Sequence, residues 1–335
     1  MNRRVPLAVS LVVAVVVGAC VPGTSTSSPS AGARQALTVG LGYIPSVQFA
    51  PFYLADQAGY YRDAGLDVTF QNKIDPDLVT LVGQGAIDVG LADGTSLIPA
   101  VSQGIPVRYI ATVYRDFPSI VFAKTSSGIA TAADLKGKKI GIPGRYGSSW
   151  IMLQALLGSA KLTPDDVQIV EYPDFGQGAA VQQGAVDAAT GFANNEPVQL
   201  ELAGFPTTNL HVDAIVPLPG PGLISGTGTL GSKQAAIAAF VAATLKAMAD
   251  ISADPEKGLD AAITAVPDLA SGRATQKAIL EATIAAWKGS APGAPALGVI
   301  DTAGWAASLD YMTTLSLVPN PIKVEDLIRS DLLPK

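Results

Sequence analysis

Aromatic residues make up only 6% of this 335-residue chain. Yet Tyr43, Tyr114, Phe117, Tyr146, Trp150 and Phe192 fall in or beside five short segments, 43–48, 93–96, 114–118, 145–150 and 192–196. An aromatic pair contributes about 0.5–1.5 kcal/mol beyond the area it buries, so this clustering suits a flat ring as ligand. Gln48, Asn194 and Asn195 add paired donors and acceptors that can read an imide, pyrimidine or amide edge. Ser46, Thr95 and Ser148 complete the polar part of the candidate set. Asp93 and Glu196 belong to it as well, although acids here equally suit helix caps, and asparagines equally suit turns. Arg115 and Arg145 carry a competing chemistry: a sulfonate or nitrate wants a fixed guanidinium or several helix N-termini. Phe49, Phe52 and Tyr53 are expected to begin a helix packed on a sheet, as core rather than site.

Enzyme chemistry finds little support. His211, the single histidine, stands between Leu210 and Val212 and reads as a strand residue. Residues 226–231 match G-x-G-x-x-G, but about twenty residues on the chain is inside an alanine-rich helix, with no ribose-binding acid at a strand end. We read that stretch as a lobe-crossing turn. No G-x-S-x-G elbow and no metal-ligand cluster occurs, so neither cofactor nor metal is expected.

The elements that must position these residues follow from pattern. Residues 37–41, 66–70, 87–91, 107–113 and 120–123 read as strands; 51–58 and 76–82 read as helices ending at Gly59 and at Gly83 and Gly85. Such alternation argues for largely parallel sheets with helices on their faces. Val82-Gly83-Gln84-Gly85-Ala86-Ile87-Asp88 returns 99 positions later as Val181-Gln182-Gln183-Gly184-Ala185-Val186-Asp187. The repeat implies two related α/β lobes with a cleft between them. The five segments above each follow a predicted strand, where open α/β sheets bind ligands. We expect lobe 1 to comprise 37–124 plus 216–335 and lobe 2 to comprise 125–215, with crossings near 122–125 and 214–229. A helix over 235–249 should pack on the first lobe.

Gly42-Tyr43-Ile44-Pro45-Ser46-Val47-Gln48-Phe49-Ala50-Pro51-Phe52-Tyr53-Leu54-Ala55, followed by Gly59-Tyr60-Tyr61 and Gly65-Leu66-Asp67-Val68, resembles the opening signature of a group of ABC-importer substrate-binding proteins. The group includes the sulfonate, nitrate and thiamine-pyrimidine-precursor binders and riboflavin-binding lipoproteins. Residues 133–141 resemble the element opening its second lobe, and Gly191-Phe192-Ala193-Asn194-Asn195-Glu196-Pro197 extends the likeness to about residue 230. The resemblance implies a type II periplasmic-binding-protein fold that closes on a small molecule without changing it, and delivers it to an ABC permease with its ATPase. Yeast-type pyrimidine synthases share the fold, but their cysteine-rich motif is absent here. Ring-stacking capacity ranks riboflavin first and the thiamine pyrimidine precursor second. A sulfonate- or nitrate-type anion, or a ligand-sensing lobe for a membrane receptor, is the alternative.

The N-terminus reads as an export signal over 1–19: Arg3 and Arg4, an apolar stretch over 6–17, then Val17-Gly18-Ala19. Cys20 follows at the position that resembles the bacterial lipobox, implying a lipid anchor on the extracytoplasmic face of the cell membrane. Residues 20–36 then form a flexible tether. Removing 1–19 takes away two arginines and no acid, moving the formal charge from −6 to −8. Such an acidic protein is a poor nucleic-acid binder, and with one cysteine it has no internal disulfide. A monomer is expected.

Overall fold

The computed structural model describes residues 33–72, 77–213, 215, 218–290, 293 and 295–334. The signal and Cys20 lie outside the described residues. Ten strands follow in chain order: β1 Gln35–Gly40, β2 Leu66–Gln71, β3 Val89–Ala92, β4 Val107–Thr112, β5 Ser119–Lys124, β6 Lys139–Ile142, β7 Gln168–Glu171, β8 Ala188–Phe192, β9 Thr207–His211 and β10 Gly222–Gly226. They form two five-stranded sheets of matching order, β2-β1-β3-β10-β4 and β7-β6-β8-β5-β9. In each, four strands run one way and one is reversed, β10 in the first and β5 in the second. Each reversed strand is the one that arrives from the other sheet.

That exchange shifts the expected boundaries. The strand Ser119–Lys124, assigned from sequence to the first lobe, pairs with β8 from Ser119↔Phe192 to Ala123↔Ala188 and with β9 on its other side. The chain therefore passes between sheets through residues 113–118 and returns through 212–221, and the stretch 122–125 is no crossing. The glycine-rich 226–231 is no crossing turn either. Gly226 ends β10 where a Cβ would meet the Val82 carbonyl oxygen, and the next residues begin a helix.

The helices are α1 Ala50–Gln57, α2 Tyr60–Asp63, α3 Leu78–Gly83, α4 Gly94–Ser102, α5 Gly147–Ser159, α6 Gln177–Gln183, α7 Glu196–Leu202, α8 Thr227–Ala253, α9 Pro255–Ala265, α10 Arg273–Lys288 and α11 Thr302–Thr314. Pro51 near its start and left-handed Gly59 after its end delimit α1. Its Phe52 and Tyr53 are buried in the first core, as their spacing predicts. There Phe240 of α8 stacks on Tyr61 at 5.0 Å and lies 6.4 Å from Phe52. Each fully buried ring of this kind contributes about 1.5–3 kcal/mol. Tyr109 and Trp305 anchor the opposite face of the same sheet, their rings 4.8 Å apart.

The repeated phrase does the same job twice. Asp88 Oδ2 accepts the Thr38 N–H at 2.9 Å while Asp88 N–H donates to the Thr38 carbonyl. Asp187 Oδ2 accepts the Lys139 N–H at 2.8 Å, and Asp187 N–H donates to the Lys139 carbonyl. Asp88 clasps β1 to β3 and Asp187 clasps β6 to β8, strands that occupy the same two places in their sheets. Gly85 and Gly184, at φ +77° and +74°, make the left-handed turn that brings it there.

Candidate functional site

A cavity of about 230 Å³ opens where the carboxyl ends of the two sheets face each other. From the first sheet, Tyr43 follows β1, Asp93 follows β3 and Tyr114 follows β4, while Gln48 and Phe49 come from the turn before α1. From the second, Tyr146 and Ser148 lie at the start of α5, Phe192 ends β8, and Asn195 and Glu196 follow it. These placements obey the strand-end rule used on the sequence.

Both acids are buried; Asp93 caps the helix beside it, whereas Glu196, at the start of α7, reaches back to the end of β8. Asp93 Oδ1 accepts Thr95 N–H at 3.0 Å, Ser96 N–H at 3.1 Å and the Thr95 hydroxyl at 2.5 Å, capping α4. Ser148, from across the cleft, is a further partner. Desolvation still pushes the Asp93 carboxyl above the usual range. Glu196 Oε2 accepts the Phe192 N–H at 2.8 Å, and burial pushes its pKa up to about 7. Desolvation likewise raises the phenols of Tyr43 and Tyr114.

Other residues of the expected set stand behind the cavity wall or away from it. Ser46 Oγ accepts Gln48 N–H at 3.3 Å and Nε2 at 3.2 Å, so it shapes the turn. Thr95 is buried on Asp93. Asn194 Nδ2 donates to Gln48 Oε1 at 2.9 Å and to Thr283 Oγ1 of α10 at 2.7 Å, a buried clasp between residues that follow β8 and elements packed on the first sheet. Arg115 points elsewhere, its guanidinium 3.2 Å from the carbonyls of Pro295 and Ala296, and Phe117 packs in the second sheet's core. Arg145 pairs with Glu171 at 3.2 Å and lies over Trp150, 5.3 Å from the ring centroid. Neither arginine lines the cavity, nor does Trp150, because one turn into α5 its ring has rotated onto the helix flank.

The place expected for Trp150 is taken by Phe175. Its ring meets Tyr43 edge to face at 4.8 Å and 90°, joining the two sides of the cleft. Phe175 holds φ +61°, a conformation a bulky side chain rarely adopts outside functional segments. Gln177, also unforeseen, lines the wall two residues later. Both follow β7, so the strand-end rule covers them; the short edge strand 168–171, exposed at both ends and nowhere fully buried, gave too weak a pattern to apply it. Phe49, assigned to the core, is buried there and also lines the cavity.

The surface is thus rings, aliphatic side chains, amides, hydroxyls and two buried carboxylates, and among the described residues lining it there is no Lys, Arg or His. The NMT1/THI5-like family model matches residues 46–258. The chain belongs to the NMT1/THI5-like family. It is 30% identical to the riboflavin-binding protein RibY of Chloroflexus aurantiacus over 348 aligned positions, covering 100% of this chain and 99% of that one. To the 4-amino-5-hydroxymethyl-2-methylpyrimidine phosphate synthase THI13 of Saccharomyces cerevisiae it is 30% identical over 169 positions, 49% of this chain and 48% of that one. Among solved structures, the alkanesulfonate-binding protein SsuA of Xanthomonas axonopodis superposes with a TM-score of 0.68 at 18% identity, over 88% of this chain and 98% of that one. SsuA of Escherichia coli gives 0.66 at 20% identity, over 88% and 97%. This NMT1/THI5-like chain therefore has the periplasmic-binding-protein fold. Its full-length likeness is to a binding protein, and its likeness to the synthases covers half of it.

Proposed function

We propose that the protein is the extracytoplasmic solute-binding component of an ABC importer, anchored through a lipid on Cys20, and that its ligand is a planar nitrogen heterocycle, riboflavin. One observation carries the ligand class: the cavity pairs aromatic faces with buried acceptors and offers no cationic side chain among the described lining residues. An anion would find no cationic partner there, and Asp93 and Glu196, where ionised, would repel it. A flavin ring instead brings a flat face for Tyr43, Phe175 and Phe192, a ring N–H to donate and carbonyls to accept from amide groups. The full-length similarity to a riboflavin-binding protein supports the same choice.

Titration of the purified protein with riboflavin, the thiamine pyrimidine precursor, taurine and nitrate tests this. Riboflavin should bind tightest, with its fluorescence quenched by stacking; binding of taurine or nitrate alone would overturn the heterocycle, and turnover of any of them the transport role. Cys20→Ser should move the protein from the membrane to the soluble fraction with ligand affinity unchanged.

A further inference from the structure

Resting on the reading of a heterocycle binder, we propose that Gln177 selects the ligand by accepting a hydrogen bond from a ring N–H at its side-chain Oε1. Gln177 is the first residue of α6, 1% exposed, and lines the cavity. Its Nε2 donates to the Thr190 carbonyl of β8 at 3.2 Å. A carbonyl oxygen can only accept, so this bond fixes which end of the amide is which and forbids the flipped orientation. The acceptor end is therefore held in place, and Oε1 is buried with no hydrogen-bond partner.

Buried acceptors are rarely left unpaired, since each then bears the cost of lost hydration without return. An unpaired acceptor on a residue of the cavity wall, locked by its own amide, waits for a donor from the ligand. Among the described residues none donates to it. Glu196, whose Cγ lies 3.2 Å from where a Cβ on Gly178 would stand, is turned instead to the Phe192 N–H, which its Oε2 accepts. Asp93, the other acid of the cavity, spends Oδ1 on α4. A sulfonate group or a nitrate ion carries no donor and leaves Oε1 unpaired. A flavin imide N–H or an aminopyrimidine N–H pairs it. Sites that hydrogen-bond a ligand N–H reject the analogue lacking it far more strongly than apolar pockets reject a change of size.

The test pairs riboflavin with 3-methylriboflavin, in which a methyl replaces the imide hydrogen, on the full-length protein and on Gln177→Met, which keeps the side chain's length without its acceptor. Wild type should prefer riboflavin at least tenfold. Gln177→Met should bind riboflavin 10- to 100-fold more weakly and discriminate between the two flavins less than threefold. In wild-type protein labelled with 13C-glutamine, the Gln177 side-chain carbonyl signal should move on adding riboflavin and far less with the methylated flavin, a reading that holds even if the variant fails to fold. Riboflavin binding that is undiminished in Gln177→Met, or a carbonyl signal that stays put while riboflavin binds, overturns the role of Gln177 and leaves the ligand standing. Failure of riboflavin to bind wild type overturns the functional reading, and this inference with it.

Discussion

The two sheets are wound along the same path but meet the cleft with different chemistry. Ninety-nine positions apart, Asp93 follows β3 where Phe192 ends β8. On the first side the cap comes from Asp93 itself, reaching forward to the N–H groups of Thr95 and Ser96. On the second, Glu196 reaches back to the N–H of Phe192, which frees the intervening Asn194 to span the cleft and Asn195 to line it. The repeated phrase at 82–88 and 181–187 does not line the cavity. The repeat serves the scaffold, and the candidate site lies where the two halves differ. Substitutions that treat the two sides unequally therefore probe this arrangement.

The largest expected effect is on the acid of the second side. Burial lifts Glu196 from its ordinary 4.5 to about 7, so between these values the folded protein binds more protons than the unfolded chain. Stability must then fall as pH rises from about 4.5 to 7 and level off above, by at most roughly 3 kcal/mol for a single group. Asp93, raised by the same cause, adds loss of the same sign. His211, raised by its partner Asp213, loses its contribution only above its ordinary 6.5, so the window is cleanest below pH 6. Glu196→Gln should flatten the decline of melting temperature across pH 4.5–6; an unchanged slope would mean that Glu196 is solvated or ionised at little cost.

Next come the contacts that join the sides. Tyr43→Ala and Phe175→Ala should each weaken riboflavin binding by about 1–3 kcal/mol, through lost ring contact and buried area. Trp150→Ala, whose ring lies under Arg145 away from the cavity, should leave affinity nearly unchanged. Asn194→Ala removes both bonds of the clasp, to Gln48 and Thr283, and should raise the radius of gyration of the ligand-free protein in small-angle scattering. Equal affinities for the Tyr43 and Trp150 variants would place the ring elsewhere.

These contrasts also show what the sequence made legible. Strands and helices with clear periodicity, such as 66–71 and 107–112, read directly, and so did the loops at strand ends. Side-chain direction within a loop did not. Tyr146 and Trp150 are four residues apart in sequence, yet only Tyr146 lines the cavity. Arg115 and Tyr114 are neighbours, yet only Tyr114 lines the cavity. The reversed strands were also out of reach, because Ser119–Lys124 is buried along nearly its whole length and its apolar run fits the centre of either sheet. The pairing that decides it lies with β8 and β9, far along the chain.

The smallest effect separates the two copies of the repeat itself. Asp88 and Asp187 make the same pair of backbone hydrogen bonds, but their surroundings differ. Lys233, where α8 departs from helical geometry, places its ammonium 2.8 Å from Asp88 Oδ1, and the Asp88 side chain is only 12% exposed. Asp187 is exposed. Removing Asp88 strands a half-buried ammonium and an unpaired Thr38 N–H, whereas removing Asp187 leaves a Lys139 N–H that water can reach. Asp88→Ala should therefore lower stability by about 1–3 kcal/mol and Asp187→Ala by no more than about 1 kcal/mol. If thermal unfolding shows equal losses, the backbone bonds alone set the value of the clasp and the ion pair to α8 adds nothing. If Lys233→Met in the Asp88→Ala background recovers part of the loss, the stranded charge accounts for the difference between the copies, and the repeat's aspartate is worth the same in both lobes once that charge is gone.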